Sequence, residues 1–440
     1  MRLWPTGGLW RHPDFIKLWS AETVSQFGTQ FTVLALPLAA IIVLDASVFE
    51  IAVLNVLEFL PFVLFSLPAG VWVDRLRRKP ILVISDLVRA ALLVSIPIVY
   101  AFDALTIWQL FGVAFTLGIA TVFFDVAYQS YLPSLVNRRQ LVEGNSKLEI
   151  SRSTAQLGGP GLAGLIIDLL SAPVALFADA LSFVGSALFL FGIRKCEGSP
   201  QGEAAEPRRR MRVELAEGWH YVFRHPYLKN IAASTATFNF FGGFWNAALL
   251  IFAYRVLDLS PAAIGLALSV GNVGALIAAF ASGRITQRFG VGPTIIGAAM
   301  LGGPMLLLVP FSPHGNAALT VIAPAILIGS FTNVLYNVTQ VSLRQTITPE
   351  RIQGRMNSVM RFVVWGTIPI GTLLGGALGT WIGVKETLII GGIGGFLPFL
   401  PVLFSPLRRL RDMPEPPDED VLLGDPLLAD AAAVTLRPGA

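Results

Sequence analysis

Charged side chains are scarce in this 440-residue chain. Asp, Glu, Lys and Arg together make up only 14% of it, whereas 54% of its residues are hydrophobic. Soluble proteins carry about 25% charged residues. A chain of this length with so few ionic groups could not cover its apolar surface in water. The composition therefore excludes a soluble enzyme and a disordered chain, and it predicts a protein that crosses a membrane many times.

Ligand sets for metals, disulfides and nucleotides are lacking as well. The single cysteine, Cys196, excludes an intrachain disulfide. The four histidines are scattered and form no metal-ligand cluster. The glycine-rich run 391–395 lies inside an apolar segment with no strand before it, which is not the setting of a nucleotide loop. We therefore expect no cofactor, no metal and no enzymatic activity, and no direct use of ATP.

Long apolar runs occur twelve times, and each reaches the length of about 20 residues that a bilayer requires. They are 15–44, 50–73, 80–101, 105–126, 144–170, 173–193, 227–256, 261–283, 290–311, 317–340, 352–380 and 384–404. The sequence thus predicts an all-α integral membrane protein with twelve transmembrane helices in two six-helix bundles, 1–193 and 227–404. A basic linker, 194–226, joins the bundles, and an acidic tail, 405–440, is expected to be disordered.

The positions of the basic residues predict the orientation in the membrane. Of 32 Lys and Arg residues, only Arg255 and Lys385 fall in the odd-numbered loops. Basic loops stay on the cytosolic side, so both termini and the linker are expected there, in a multi-pass protein of the cell membrane. The net charge of +4 then reflects topology rather than binding to nucleic acid.

The two halves echo each other in sequence. Asp125 corresponds to Asn337, and Asn145 corresponds to Asn357, at a spacing of about 212 positions. The end of span 2, at Gly70, matches the end of span 8 at nearly the same spacing. Recurrence at a near-constant offset predicts a duplicated six-helix unit, and internal repeats are common in transporters.

Polar side chains line one face of every third span. Their spacing of three, four, seven or eleven positions keeps each set on a single helix face. Because polar groups face lipid only at a high cost, spans 1, 4, 7 and 10 are expected to line a shared cavity. The cavity residues predicted in this way, apart from acidic ones, are Gln26, Thr29, Tyr128, Asn239, Asn246, Asn333, Asn337 and Gln340.

The connection between spans 2 and 3 reads Gly70-x-x-x-Asp74-Arg75-x-x-Arg78-Lys79. It resembles the signature loop of the major facilitator superfamily, and a degenerate copy follows span 8. This resemblance implies the major facilitator fold, with pseudo-symmetric bundles and alternating access. A carboxylate at a helix end can pair with bases and with another helix end. We therefore interpret the loop as a conformational latch formed by Gly70, Asp74, Arg75, Arg78, Lys79 and Arg288, with Arg355 and Arg361 as possible partners.

Two further motifs resemble narrower groups of that superfamily. Span 5 contains Gly159-Pro160-x-x-Ala163-Gly164, similar to the Gly-Pro motif of drug:proton antiporters, with Ala163 in place of one glycine. The segments Phe124-Asp125-x-Ala127-x-Gln129-x-x-Leu132-Pro133 and Thr348-Pro349-Glu350 resemble the branch of macrolide-efflux proteins and enterobactin exporters. A bend at Gly159, Pro160 and Gly164 that shapes a gate is the sharper interpretation of span 5, beside tight helix packing.

Carboxylates inside spans are concentrated in the first half. Glu58, Asp125 and Glu22 are the candidates for proton coupling, since a buried carboxyl can bind and release a proton. The alternative for each is a structural hydrogen bond to a neighbouring helix. Asp86 and Arg89, three positions apart in span 3, favour a neutralised pair that stabilises helix packing.

Together these features predict a monomeric secondary transporter. The resemblance implies proton-coupled efflux of a lipophilic or amphipathic small molecule, such as a drug, a macrolide-like compound or a siderophore. The expected partners are this small-molecule substrate, protons and the lipid bilayer. A proton-coupled uptake symporter, a lipid flippase and a non-transporting membrane sensor remain alternatives at this point.

Overall fold

A computed structural model describes residues 8–137, 140–195 and 211–414, apart from the side chains at 67, 71, 74, 142, 211–215, 350 and 351. Within these residues the chain is almost entirely helical. The helices are α1 (Pro13–Val43), α2 (Val48–Arg75), α3 (Arg78–Ala101), α4 (Ile107–Leu135), α5 (Leu141–Leu169), α6 (Ala172–Phe191), α7 (Met211–Arg224), α8 (Leu228–Ile251), α9 (Pro261–Phe289), α10 (Val291–Leu307), α11 (Leu319–Thr346), α12 (Glu350–Trp381), α13 (Val384–Gly394) and α14 (Phe399–Leu403).

Eleven helical segments of the described chain are long and apolar enough to cross a membrane. They correspond to eleven of the twelve predicted spans, and the protein is a multi-pass membrane protein. The remaining span is α5, which is 29 residues long but more polar than the others. It packs against α1 and α9, so its polar residues meet protein on these two sides.

Side-chain caps set the beginnings of helices at one end of the molecule. Ser47 caps α2 through a capping box with Glu50, and Thr106 caps α4. Ser171 and Ser260 do the same for α6 and α9. A serine or threonine at this position accepts a bond from a backbone N–H that the helix leaves free. These caps lie in the short loops that we call the short-loop end; the opposite end, where the basic loops lie, is the basic end.

Helix packing follows the sequence repeat. In the N-terminal half, α1 packs on α5 and α6, α2 on α4, and α3 on α4 and α6. In the C-terminal half, α8 packs on α12 and α13, and α11 packs on α9 and α10. The halves meet mainly through two helix pairs, α5 with α9 and α2 with α12. In the sequence repeat, α2 corresponds to α9 and α5 corresponds to α12. A pseudo-twofold axis therefore converts one of these helix pairs into the other.

Four segments differ from the prediction. Helix α4 continues to Leu135, nine residues past the predicted end of span 4, because the polar residues that follow lie on its inner face rather than in a loop. Span 12 consists of two helices, α13 and α14, separated by 395–398. The third is an extra helix, α7, which lies inside the segment that was predicted to be a linker.

The fourth segment is the start of the tail that was predicted to be disordered: Pro406–Arg409 form a 3-10 turn, and the carbonyls of Leu410 and Arg411 accept hydrogen bonds from the N–H groups of Gly292 and Val291. The rest of that tail, 415–440, lies outside the described residues.

Helix α7 is fastened to the C-terminal half. Glu217 forms an ion pair with Arg355 of α12, and the Tyr221 hydroxyl donates a 2.8 Å hydrogen bond to the carbonyl of Ile347. Burial raises the pKa of Tyr221 above its usual value. Burial also lowers the pKa of His225, just beyond the helix, so that its neutral form is favoured.

Candidate transport pathway

The predicted polar face of α1 is assembled as a hydrogen-bonded line. Glu22 is buried, and its Oε1 accepts a 2.7 Å hydrogen bond from the side-chain amide of Gln26. Thr29, one turn further, donates to the carbonyl of Ser25. Glu22 Oε2 is buried without a hydrogen-bond partner among the described residues. Helix α1 thus presents a carboxyl that is only half satisfied.

The polar face of α4 lies opposite Glu22. Asp125 is within electrostatic reach of Glu22, of Arg89 on α3 and of Arg152 on α5. Tyr128 is also within reach of Glu22, Asp125 and Arg152, and its ring stacks on Phe124 with centroids 6.1 Å apart. The structure therefore brings three predicted site residues, Glu22, Asp125 and Tyr128, into one region of the N-terminal half.

The pair of Asp86 and Arg89 adjoins this region. The two side chains form a buried ion pair on α3. The Arg89 guanidinium lies between two aromatic rings, 4.1 Å from the centroid of Phe124 and 4.2 Å from that of Phe183. It is also within electrostatic reach of Asp179 on α6. The pair thus has two further helices, α4 and α6, around it, beyond the local contact that its spacing suggests.

Glu58 is set apart from the other carboxylates. It is half-buried in α2, and its backbone carbonyl lies against Gly118 of α4. Its neighbours reach the other half: Asn55 donates a 3.0 Å hydrogen bond to the carbonyl of Asn246, and Phe59 packs against Trp365 with ring centroids 5.9 Å apart. The structure therefore places Glu58 at the contact between halves rather than in the cluster around Arg89.

Side-chain amides of α11 form a hydrogen-bonded line in the C-terminal half, in which Asn337 is exposed and Gln340 is buried. Asn337 Nδ2 donates to Asn333 Oδ1 at 2.5 Å, and Gln340 Nε2 donates to Asn337 Oδ1 at 3.4 Å. Arg344 continues the line by donating to Gln340 at 3.2 Å and to Asn357 at 3.0 Å. A continuous polar ladder thus runs along α11 from the middle of the helix to the basic end.

The two predicted cavity residues on α8, Asn239 and Asn246, make contacts that also hold helices together. Asn239 donates a 2.9 Å hydrogen bond to the carbonyl of Val364 on α12, which ties its amide to a neighbour within the same half. Asn246 is exposed, and its backbone carbonyl receives the bond from Asn55. Of these two, Asn246 is the one whose side chain is free to meet a ligand.

Polar contacts close the two halves at the short-loop end. Arg255 of the C-terminal half forms a 2.6 Å ion pair with Asp45 and donates a 3.1 Å hydrogen bond to the carbonyl of Ile41. A short π-helical turn, Phe252–Val256, carries Arg255. Asp45 has a left-handed backbone with φ of 49°, which aspartate tolerates better than most residues. Arg255 is one of the two basic residues that lie in odd-numbered loops, against the positive-inside pattern, and this contact explains why it is there.

The proline of span 5 forms a second contact between the halves. Because Pro160 has no N–H, the carbonyl of Gln156 loses its helical partner. Asn272 of α9 supplies the missing donor to that carbonyl. Nearby, the N–H of Gly161 donates a 2.9 Å hydrogen bond to Ser269. The irregularity in one half is therefore satisfied by the other half.

Glycines allow α5 to pack closely against its neighbouring helices. A Cβ at Gly164 would overlap the carbonyl of Pro261 on α9, and a Cβ at Gly159 would overlap Gln30 on α1. The predicted bend residues thus pack between both halves. The contacts run from the middle of the helices to the short-loop end, whereas Arg152 and Asn337 are exposed nearer the basic end. The conformation is closed at the short-loop end and open toward the basic end.

The comparisons with known proteins agree with this architecture. The family profile described as transmembrane secretion effector, of the major facilitator superfamily, matches residues 8–431. The chain belongs to this family. It is 24% identical over 417 residues to the multidrug efflux pump Tap of Mycolicibacterium fortuitum, with 92% of this chain and 99% of Tap covered. It is 23% identical to macrolide efflux protein A of Streptococcus pyogenes, with 86% and 92% covered.

Among solved structures, the nucleoside transporter NupG in its D323A form superposes with a TM-score of 0.71 at 11% identity, covering 89% of this chain and 99% of that one. This likeness shows the fold. The protein is therefore a major facilitator transporter rather than an enzyme, and its efflux relatives confirm the resemblance to the efflux branch.

For a major facilitator transporter, the signature loop is of special interest. The side chain of Asp74 lies outside the described residues, and a Cβ at Gly70 would meet nothing within 4 Å. Arg75 is exposed, as is Arg288. Lys79 donates to two carbonyls at the end of α6, at 2.6 and 2.9 Å. In this conformation Lys79 therefore stabilises its own half, and the latch stays a prediction.

Sequence reasoning missed several residues of this transporter's pathway. Arg255 and Arg344 were seen only as bases in the topology count, and Asn272 was not singled out. Asn272 lies on the same face of α9 as Ser269, three positions apart. Pro160 in α5 leaves a carbonyl without its helical donor, and this is the sequence signal that could have indicated a donor such as Asn272. The link between Tyr336 and Thr235, whose hydroxyls are 2.8 Å apart, was also missed.

Proposed function

We propose that this transporter exports a lipophilic or amphipathic small molecule in exchange for protons. The observation that carries the proposal is the pair of carboxyls on the facing sides of α1 and α4: Glu22, which is buried, and Asp125, which is partly buried and within electrostatic reach of it. A carboxyl in such a place can take up a proton in one conformation and release it in another. The efflux relatives favour export over uptake, and the proposed substrate is a macrolide-like compound, a drug or a siderophore.

The contacts between the two halves fit a transporter that opens to one side of the membrane at a time. With the basic end in the cytosol, the described conformation is the inward-facing one, and both termini are cytosolic. Opening to the outside then requires breaking the contacts of Arg255 and of the Pro160 region, while the loop at Asp74 would close the cytosolic side. The unit is a monomer in the cell membrane, because one chain supplies both halves of the pathway.

The available driving force is sufficient. One proton crossing 100 mV supplies about 2.3 kcal/mol, and one pH unit adds about 1.4 kcal/mol. Since each 1.4 kcal/mol corresponds to a factor of ten, the sum supports a substrate gradient of about 500-fold.

The test is accumulation of a substrate panel in efflux-deficient bacteria that express the protein. The panel holds macrolides, dyes and catechol siderophores, each with and without a protonophore. We expect lower accumulation of at least one compound, which the protonophore restores and which Glu22→Gln or Asp125→Asn abolishes. Glu58→Gln tests the isolated carboxyl in parallel.

The matched control is Asp103→Asn. Asp103 is an exposed loop acid with a left-handed backbone that asparagine also adopts. It should leave export unchanged. Unaltered accumulation across the panel, with the protein present in the membrane, would contradict broad drug efflux. Inward flux of a labelled metabolite would instead indicate a symporter, and movement of labelled lipid in liposomes would indicate a flippase.

A further inference from the structure

The Arg89 guanidinium is held as a full charge inside the N-terminal half. Arg89 is only 3% exposed. Its guanidinium lies 4.1 and 4.2 Å from the ring centroids of Phe124 and Phe183. Such cation–π contacts stabilise a cation that has lost its water. The two rings come from α4 and α6, so they hold the guanidinium against two helices besides its own.

Four carboxylates from four different helices lie within electrostatic reach of this one cation. They are Glu22 on α1, Asp86 on α3, Asp125 on α4 and Asp179 on α6. Arg152 of α5 adds a second positive charge on the side of Asp125, and the Tyr128 hydroxyl faces the same acids. With every acid ionised, the negative charges exceed the positive ones. Buried charge without a partner is costly, so this region favours the binding of protons.

The four carboxylates are not equally satisfied. Asp179 accepts hydrogen bonds from Thr32 and from Ser182, the latter at 2.8 Å. Asp86 is paired with Arg89 through one oxygen. Glu22 Oε2, Asp86 Oδ2 and Arg89 Nε are all buried without a hydrogen-bond partner among the described residues. An unused donor on Arg89 and an unused acceptor on Glu22 therefore lie in the same charged cluster.

We propose that Arg89 is the positioning residue for proton coupling: its charge, anchored on Asp86, is shared with Glu22 and Asp125 and sets the pH at which those two carboxyls bind and release protons. This inference rests on the proposed function. It differs from a structural pair of Asp86 and Arg89, because the charge acts on carboxyls of α1 and α4. In that arrangement Asp86 competes with Glu22 and Asp125 for the same cation.

Competition gives a prediction of opposite sign for the two members of the pair. Asp86→Asn removes a competing negative charge, so Glu22 and Asp125 should ionise at lower pH. Arg89→Gln removes the positive charge, so the same carboxyls should hold their protons to higher pH. If the pair of Asp86 and Arg89 only stabilised helix packing, loss of either partner would shift the titration of these carboxyls in the same direction.

The experiment is an infrared pH titration of the full chain reconstituted in lipid, which follows the carbonyl band of protonated carboxyls. Glu22→Gln and Asp125→Asn identify the bands. We expect the titration midpoint to fall by about one pH unit in Asp86→Asn and to rise by about one in Arg89→Gln. Arg89→Lys keeps the charge and should stay near the midpoint of the unmodified protein. Asn337→Ala, in the opposite half, should leave it unchanged.

Shifts of the same sign in Asp86→Asn and Arg89→Gln, or no shift in Asp86→Asn, would overturn the inference. If Arg89→Gln does not fold, Asp86→Asn and Arg89→Lys still decide it. The titration needs no substrate, so its failure leaves the export assay intact. Loss of export activity across the panel with the expected shifts would instead contradict the proposed function alone.

Discussion

The two halves of this transporter have the same helical frame but different interiors. Asp125 in α4 has its counterpart in Asn337 of α11. In the N-terminal half the position belongs to a charged cluster around Arg89, whereas in the C-terminal half it belongs to a ladder of amides. Charged groups can exchange protons near neutral pH and amides cannot. Under the proposed function, protons bind in the N-terminal half and the substrate contacts the amides of the C-terminal half, so the two copies of one helical frame carry different tasks.

The largest effect expected is the loss of coupling in the N-terminal half. Asp125→Asn makes the two halves alike at this position and removes the titrating group. We expect the substrate gradient, which protons can raise to about 500-fold, to collapse toward unity. Steady-state accumulation of a transported dye in everted vesicles measures this ratio. Asn337→Ala is the matched change in the other half, and it should alter apparent affinity while a gradient persists. An equal collapse in both variants would remove the distinction.

A second test acts on the packing that the halves share. Gly164→Ala places a Cβ against the carbonyl of Pro261, and overpacking of this kind costs about 1–3 kcal/mol. The closed short-loop end should therefore lose population by about 5- to 150-fold. Distances between spin labels at Asp103 and His314, in a Cys196→Ser background, report the opening. The control is Gly158→Ala on the same helix, where a Cβ meets nothing within 4 Å; it should leave the distances unaltered.

A smaller effect is expected from the ion pair at the short-loop end. Asp45 is largely exposed, and exposed pairs contribute about 0–1 kcal/mol. Arg255→Gln also weakens the hydrogen bond to Ile41, so the open state should gain up to about fivefold in population. Lys385→Gln is the matched change, because Lys385 lies at the same end but faces Phe311 within its own half. If both substitutions open this end equally, Arg255 has no special role between the halves.

The smallest effect concerns the surface of the C-terminal half. Burial lowers the pKa of His225, so the unfolded chain binds a proton more readily than the folded one. The stabilisation by neutral His225 is therefore complete above about pH 6.5 and is lost as the pH falls toward the lower folded value. The protection of α7 amides from hydrogen exchange, taken relative to the intrinsic exchange rate at each pH, should fall at mildly acidic pH, and His225→Gln should flatten this response. An unchanged pH response in His225→Gln would assign it to another group.

The fold was largely predictable because helix period and hydrophobic length act locally. All twelve spans were predicted from apolar runs, and eleven of them are long and apolar enough to cross a membrane, whereas the twelfth, α5, is more polar. The ladder of Asn333, Asn337 and Gln340 was predictable because residues four apart share a helix face. The end of α4 and the break in span 12 were not, since both depend on packing partners.

The organisation of the site was harder to predict. Asp86 and Arg89 form the ion pair that their spacing suggests, but the positions of Glu22 and Asp179 around Arg89 depend on how four helices assemble. Asn272 and the carbonyl of Gln156 are also distant in sequence and meet only in the fold. Helix α7 escaped because its amphipathic pattern lies in a basic segment that resembles a linker. In each case the missing information is tertiary contact.

The division of labour between the halves can be tested most directly in proteoliposomes with a dye that the protein transports. The measurement compares gradient-driven accumulation with substrate exchange at equal pH on both sides, for Asp125→Asn and Asn337→Ala. We predict that Asp125→Asn abolishes accumulation but retains exchange, and that Asn337→Ala retains accumulation with a changed half-saturation concentration. Retention of proton-driven accumulation by Asp125→Asn, or its loss in Asn337→Ala with exchange intact, would contradict the assignment of protons to the N-terminal half.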